Sequence, residues 1–292
     1  MNYRHIYHAG NFADVFKHAV LALMLERLRV KPTPFFVFDS HAGLGRYDLA
    51  SEPALKTSEW EGGVVRMLAA VARGAAPSGL QGYLAALAAL NGGESGALGD
   101  RIRWYPGSPW LTRSLMRPGD RLVLAEAHPE DALSLSRLFA GDSQVAVHRQ
   151  DGYGGLKAYL PPRERRGLVL IDPPYEDGDE AARSVAGLAV AHRRWATGIY
   201  ALWYPIKERA WVWRLHEALI ATGIPRMLAF ELTLWPEGDW RRLGGCGMVV
   251  INPPWQLDSA LAELLPWLHG ALGTGAGGVR MEWLASEAGP KV

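Results

Sequence analysis

Short apolar runs alternate with longer stretches of helical spacing along most of this chain, the pattern of strands separated by helices. Phe35-Phe-Val-Phe38, bounded by Pro34 and Asp39, predicts a first strand. Arg121–Ala125, ending in Glu126, predicts a second, and Val145–His148, leading to Asp151-Gly152, a third. Leu168–Ile171 and Ile199–Trp203 follow as fourth and fifth, with a helix over about residues 179–195 between them. Met227–Leu234 and Met248–Ile251 lie close together, which favours an antiparallel pair at the end of the sheet. Near the N-terminus, residues 14–29 read as a helix, with Asp14 early and Val15, Leu21, Leu25 and Leu28 on apolar faces. The expected fold is α/β: a Rossmann-like, mostly parallel seven-stranded sheet. Residues 53–104 break the rhythm, because one crossover helix would suffice there. Their Ala- and Leu-rich spacing around Val64–Val71 and Tyr83–Leu90 predicts an inserted small helical subdomain. The chain then divides into residues 1–52 (N-terminal helix and first strand), the insertion at 53–104, and the rest of the main domain at 105–292. Residues 273–278 read as a flexible loop before a short final strand, Val279–Trp283.

Composition narrows the class. A chain of 292 residues, 49% hydrophobic, can bury a substantial core. The single cysteine, Cys246, excludes an internal disulfide and a Cys-rich zinc site. No apolar run reaches membrane-spanning length and Met1–His5 starts no signal-peptide core, so a cytoplasmic protein without membrane contact is expected. A net charge of +1 does not announce nucleic-acid binding. Local clusters at Arg163, Arg165 and Arg166, and at Arg193 and Arg194, are either phosphate contacts or ordinary solvated surface.

The candidate chemistry sits at the strand ends. Leu168–Ile171 runs directly into Asp172-Pro173-Pro174-Tyr175. The nitrogen of an exocyclic base amine is a poor nucleophile, because its lone pair is delocalised into the ring. Asp172 and the Pro173 carbonyl can accept the two amine hydrogens and draw that nitrogen towards tetrahedral geometry. The prolines fix the backbone and leave the carbonyl without a ladder partner, and Tyr175 can stack on an extruded base. The bland alternative is a strand ending in a Pro-Pro turn with a solvated acid. Asn252-Pro-Pro-Trp255 echoes the motif, but it follows the seventh predicted strand rather than the fourth, and is expected to be a structural turn.

Three earlier strand ends complete the pattern. Gly43-Leu-Gly45 after strand one lets backbone approach a ligand closely. Glu126 after strand two can hold ribose hydroxyls, and Asp151-Gly152 after strand three can accept from an adenine amine. Each acid alone fits a solvated strand end, but the four in this order suggest S-adenosylmethionine. A nicotinamide cofactor would leave the Asp172 motif unexplained. No metal is expected, since a sulfonium already activates the transferred carbon and the histidines lack compact ligand spacing.

These residues, together with Tyr3-Arg-His5, His8-Ala-Gly-Asn11, Ala13-Asp14, Lys17-His18, His41-Ala-Gly43, Gly45-Arg-Tyr47, Tyr105-Pro-Gly-Ser-Pro109, Ala201-Leu-Trp-Tyr-Pro205 and Val250–Trp255, give the chain a close and nearly end-to-end resemblance to the ribosomal RNA large-subunit methyltransferase J family. The resemblance implies a class I S-adenosylmethionine-dependent enzyme that methylates adenine N6 in 23S ribosomal RNA, as free RNA or an early assembly intermediate. A monomer is expected. It implies that His18, His41, Ser108, Glu126, Asp151, Gly152 and Asp172 surround the methyl donor. It makes Asp172 the acceptor from the target amine, either taking its proton or only orienting it, and it gives Tyr3, His5 and Lys17 a role at the target adenosine. Two alternatives stay open: the same chemistry on DNA adenine, and a noncatalytic RNA-binding factor that keeps the donor pocket for structure.

Overall fold

The computed structural model describes residues 4–74, 76–93, 102–235, 243–273, 275–287 and 289–290; Tyr3 lies outside them. Helix α1 (Phe12–Arg29) starts two residues earlier than the apolar spacing predicts, because Asn11 caps it: its side-chain oxygen accepts the Asp14 backbone N–H at 3.0 Å. It is buried on nearly every side, so it runs through the core rather than along the surface. Asp14, Lys17 and His18 are its buried polar residues. They are spaced three and four apart, which puts them on one face.

Strand β1 (Phe36–Asp39) is buried along its whole length. A small antiparallel ribbon follows, β2 (Arg46–Asp48) with β3 (Trp104–Pro106). Between its strands lie α2 (Glu52–Thr57), a π-helical turn at Glu61–Val65, α3 (Arg66–Arg73) and α4 (Gln81–Asn91). The π turn is drawn onto the start of α1, where Val64 donates its N–H to the Gly10 carbonyl at 2.9 Å. Then come α5 (Ser108–Leu115), β4 (Arg121–Glu126), α6 (Pro129–Leu138), β5 (Val145–Arg149), α7 (Gly152–Ala158) and β6 (Gly167–Ile171). The chain continues through α8 (Glu180–Arg194), β7 (Ile199–Ile206), α9 (Arg209–Ile220), β8 (Met227–Thr233), β9 (Gly245–Ile251), α10 (Leu257–Leu272), β10 (Gly278–Ser286) and the two-residue β11 (Gly289–Pro290).

The main sheet runs in the order β11-β10-β8-β9-β7-β6-β1-β4-β5. The stretch from β5 to β7 is parallel, and β9, β8 and β10 add antiparallel pairings beyond β7. The fold is the expected α/β, Rossmann-like one, but among the described residues the sheet has nine strands instead of seven. Beyond the seven lie β10, which contains the final strand expected at Val279–Trp283 but left out of that count, and the two-residue β11, both at one edge. Val279 and Met281 of β10 stay exposed, as befits a strand near the sheet edge, and β11 is only a residue pair, too short to carry an apolar signature.

Core clusters cover both faces of the sheet, and the side chains of β1 alternate between them: Val37 belongs to the cluster that includes residues of α1, α5 and α10, Phe36 and Phe38 to the one that includes residues of α7, α8 and α9. From β1 the chain steps outward to β4 and β5, then returns to β6 on the other flank. That reversal opens a crevice beyond the carboxyl ends of β1 and β6, the position where open α/β sheets bind ligands. The Arg163–Arg166 cluster lies at the opposite end of β6. Arg166 donates to the Thr33 and Leu28 carbonyls, and Glu164 pairs with Arg121, so these residues tie loops together. Among the described residues no helix is long and apolar enough to cross a membrane.

Candidate active site

A cleft of about 1250 Å³ opens at the crevice, between the carboxyl ends of the central strands, the first turns of α1 and the start of α3. Every predicted site residue within the described range lines it: His5, Lys17, His18, His41, Ser108, Glu126, Asp151, Gly152, Asp172, Pro173 and Tyr175. Asn252 does not. Strand β9 runs antiparallel to β7, so its carboxyl end emerges on the far side of the sheet. There the Asn252 amide donates to the Ala196 and Gly198 carbonyls, both at 2.8 Å, which closes a structural turn.

On the β4–β5 flank, Glu126 is fixed by two backbone N–H groups, Gly43 at 2.8 Å and His128 at 2.7 Å. Burial nevertheless pushes its carboxyl above the ordinary glutamate value. Asp151 caps α7 by accepting the Gly154 N–H, and pairs with Arg183 at 3.1 Å on the rim. Gly152 allows a close approach: a Cβ there would sit 2.1 Å from the Ser40 carbonyl oxygen. An alanine must push α7 away from the loop after β1. Gly152→Ala is expected to cost about 2–3 kcal/mol of stability and to weaken binding of S-adenosylhomocysteine, read by urea unfolding and calorimetric titration. His41 contacts the Ser40 hydroxyl through Nδ1 at 2.8 Å, and burial holds it at about 4, so it is neutral at physiological pH.

Asp39, at the end of β1, escaped the sequence argument. It is 1% exposed, accepts the Ser108 hydroxyl at 2.6 Å and receives the His41 N–H at 3.3 Å. Burial pushes its carboxyl up to about 7, and Asp172 adds to the shift. The unfolded carboxyl ionises near 4. Between these values the folded protein holds a proton that the unfolded chain has released, so stability falls as pH rises through this window and levels off above about 7. Asp39→Asn should flatten that decline, by about 4 kcal/mol at most. Urea midpoints of both proteins at pH 5 and pH 8 test it, and parallel declines would contradict it.

On the α1–β6 flank, side chains far apart in sequence form a line. Lys17 Nζ lies 2.6 Å from Asp172 Oδ2 and 2.9 Å from Asp14 Oδ1, and Asp14 Oδ2 lies 2.9 Å from His5 Nε2. The Gly10 N–H also donates to Asp14. Burial alone would lower Lys17, but the two carboxylates outweigh it and hold the ammonium well above its ordinary value. Burial alone would raise Asp14, but His5 and Lys17 outweigh it and hold the carboxyl well below its ordinary value. Lys17 is therefore a cation lodged between two carboxylates, with Nζ 5.9 Å from the Trp203 ring centroid.

Beyond Asp172, the Pro173 carbonyl accepts no hydrogen bond from the described residues. Tyr175 adopts a left-handed backbone (φ +51°). Its hydroxyl donates to the Trp203 carbonyl at 2.8 Å and its ring meets Trp211 edge-on at 5.5 Å. The ring is thus pinned at its tip and side while still lining the cleft. Trp203 and Asp14 also escaped assignment to the site. Both belong to elements whose apolar spacing marks them as core.

A family model described as "Ribosomal RNA large subunit methyltransferase D, RlmJ" matches residues 32–285. The chain is 44% identical over 288 residues to the ribosomal RNA large subunit methyltransferase J of Escherichia coli K12, covering 98% of this chain and 100% of that protein. It is 42% identical over 288 residues to the protein of the same name from Haemophilus influenzae Rd, again covering 98% and 100%. The crystal structure of protein LPL1258 from Legionella pneumophila superposes with a TM-score of 0.84 at 33% identity, covering 94% of this chain and 98% of that one. With a site of this architecture and similarity along nearly its whole length, the chain belongs to the ribosomal RNA large subunit methyltransferase J family.

Proposed function

We propose that this protein transfers the methyl group of S-adenosylmethionine to N6 of an adenine in 23S ribosomal RNA. The observation that carries this is a carboxylate, Asp172, held by Lys17 beside the Pro173 carbonyl, which no described residue engages, in the lining of the cleft. Two acceptors at adjoining positions match the two hydrogens of an exocyclic amine. The donor fits the other flank. Glu126, fixed by two N–H groups, keeps lone pairs for ribose hydroxyls, and the missing Cβ of Gly152 lets the α7 start close on the loop after β1. Asp151 would take the adenine amine of the donor, with His18, His41 and Ser108 completing its surroundings. Bound there, the sulfonium supplies an electrophilic methyl carbon.

The protein's own contribution is alignment. A target adenine leaves its stack, at a cost of a few kcal/mol that falls where the RNA is single-stranded or distorted. Tyr175, pinned by Trp203 and Trp211, presents a ring for it to stack on. Asp172 and the Pro173 carbonyl accept hydrogen bonds from the amine, which turns the nitrogen lone pair towards the incoming carbon. The N–C bond forms as the C–S bond breaks, S-adenosylhomocysteine leaves, one N6 proton is released through Asp172 or to solvent, and fixed geometry supplies most of the acceleration. Lys17 keeps the Asp172 carboxylate in position, and His5 sits behind it through Asp14. The chemistry requires no metal. The enzyme acts as a cytoplasmic monomer on protein-free RNA or an early assembly intermediate.

The test is methyl transfer from labelled S-adenosylmethionine to unmodified, protein-free 23S ribosomal RNA, with duplex DNA alongside and the labelled nucleoside identified. N6-methyladenosine in the RNA alone is expected. Label only in DNA would overturn the substrate, and failure to bind the donor would overturn the enzyme.

A further inference from the structure

Behind the cleft, two buried tyrosines that the proposed chemistry does not use form a line with His18. His18 Nδ1 lies 2.8 Å from the Tyr105 hydroxyl, which lies 3.0 Å from the hydroxyl of Tyr83 on α4. Both tyrosines are 0% exposed, so each hydroxyl hydrogen needs an acceptor within the protein. Among the described residues, the Tyr83 hydroxyl has one partner, Tyr105. If Tyr105 gave its hydrogen to Tyr83, the Tyr83 hydrogen would be buried with nothing to accept it, which is the costly arrangement. Tyr83 therefore donates to Tyr105, and Tyr105 donates to His18 Nδ1. Burial holds His18 at about 3, so the ring is neutral and carries one proton. With Nδ1 accepting, that proton is on Nε2, on the other side of the ring from Tyr105, in a residue that lines the cleft.

We propose that Tyr105, backed by Tyr83, is a positioning residue that locks His18 in its Nε2–H tautomer, so that the ring donates a hydrogen bond to the carboxylate of the bound methyl donor. The identity of that acceptor rests on the donor site proposed above. Glu126 and Asp151 end β4 and β5, on one flank of β1, whereas His18 adjoins Lys17, which pairs with Asp172 on the other. A donor with its adenosine at the two acids presents its amino-acid end to His18. The opposite tautomer would turn a lone pair towards that carboxylate and repel it.

Side-chain ¹⁵N spectra of His18 in the wild-type protein read the tautomer directly. The expected pattern has Nε2 protonated and Nδ1 as a hydrogen-bonded acceptor; a protonated Nδ1 overturns the proposal. Tyr105→Phe should lose the acceptor shift of Nδ1 and bind S-adenosylhomocysteine roughly five- to tenfold more weakly. Its affinity for 5′-methylthioadenosine, which lacks the carboxylate, should be unchanged. Tyr83→Phe removes a buried hydroxyl of the same kind but leaves Tyr105 free to donate to His18, so its tautomer and affinity should stay within about twofold of wild type. Equal losses for both ligands in Tyr105→Phe, or no loss for either, overturn the role. If wild-type protein binds neither ligand, the proposed donor site fails, while the spectrum still decides the tautomer.

Discussion

Asp172→Ala is expected to lower methyl transfer by at least about a thousandfold while leaving the fold intact. The two halves of that expectation have separate causes. Activity falls because the alanine removes the acceptor that orients the amine, and a misplaced nitrogen lone pair cannot attack in line. Stability survives because Asp172 is at a strand end, with a side chain 15% exposed, and because Lys17 keeps Asp14 as a partner when Asp172 is gone. Asp172→Asn separates orientation from charge. The amide retains one acceptor oxygen, so an intermediate loss of about a hundredfold is expected if orientation dominates. Methyl incorporation at saturating RNA and donor, with a thermal melt of each variant alongside, makes the comparison. Near-normal turnover in Asp172→Ala would sink the assignment.

How much of this site the sequence reveals depends on how local each part is. Asp172, Glu126 and Asp151-Gly152 are legible because each directly follows an apolar run, and strand order alone brings successive strand ends to one edge of a parallel sheet. The same logic separates Asp172 from Asn252: one ends a parallel strand beside β1, the other an antiparallel strand that points away. What stays hidden is long-range pairing. Lys17 and Asp172 are 155 positions apart, and nothing in the spacing of α1 distinguishes Lys17 from a solvated helix residue. Asp39 is hidden for a different reason. It closes a strand as a surface acid would, and only the fold shows that Ser108 and Asp172 crowd it into the interior. The short β2–β3 ribbon is hidden too, since strands of three residues carry too little alternation to register.

Lys17→Met should destabilise the protein and inactivate it together, with a pH signature that identifies the cause. Methionine matches the lysine in length and fills the same apolar passage beside Trp203, so packing changes little. What disappears is a cation between two carboxylates, and removing one partner of a buried pair typically costs about 3–5 kcal/mol. Asp14 retains His5 and the Gly10 N–H, which moderates the loss; Asp172 loses the contact that fixes its position. The sign follows from Asp14. Its folded carboxyl ionises well below the ordinary aspartate value, so the stability it contributes is fully present above about pH 4, where the unfolded carboxyl is ionised, and disappears as pH falls through the folded value. The deficit of Lys17→Met should be largest at neutral pH and shrink towards acid, where protonation relieves the carboxylates that the substitution leaves without their lysine. Urea unfolding at pH 7 and at pH 3.5 measures it, and an equal deficit at both would show that packing, not charge, had been lost. Adding Asp14→Asn should recover part of the stability, because it removes a carboxylate left without its lysine. It should not recover transfer, because Asp172 still lacks the ammonium that holds it towards the target amine.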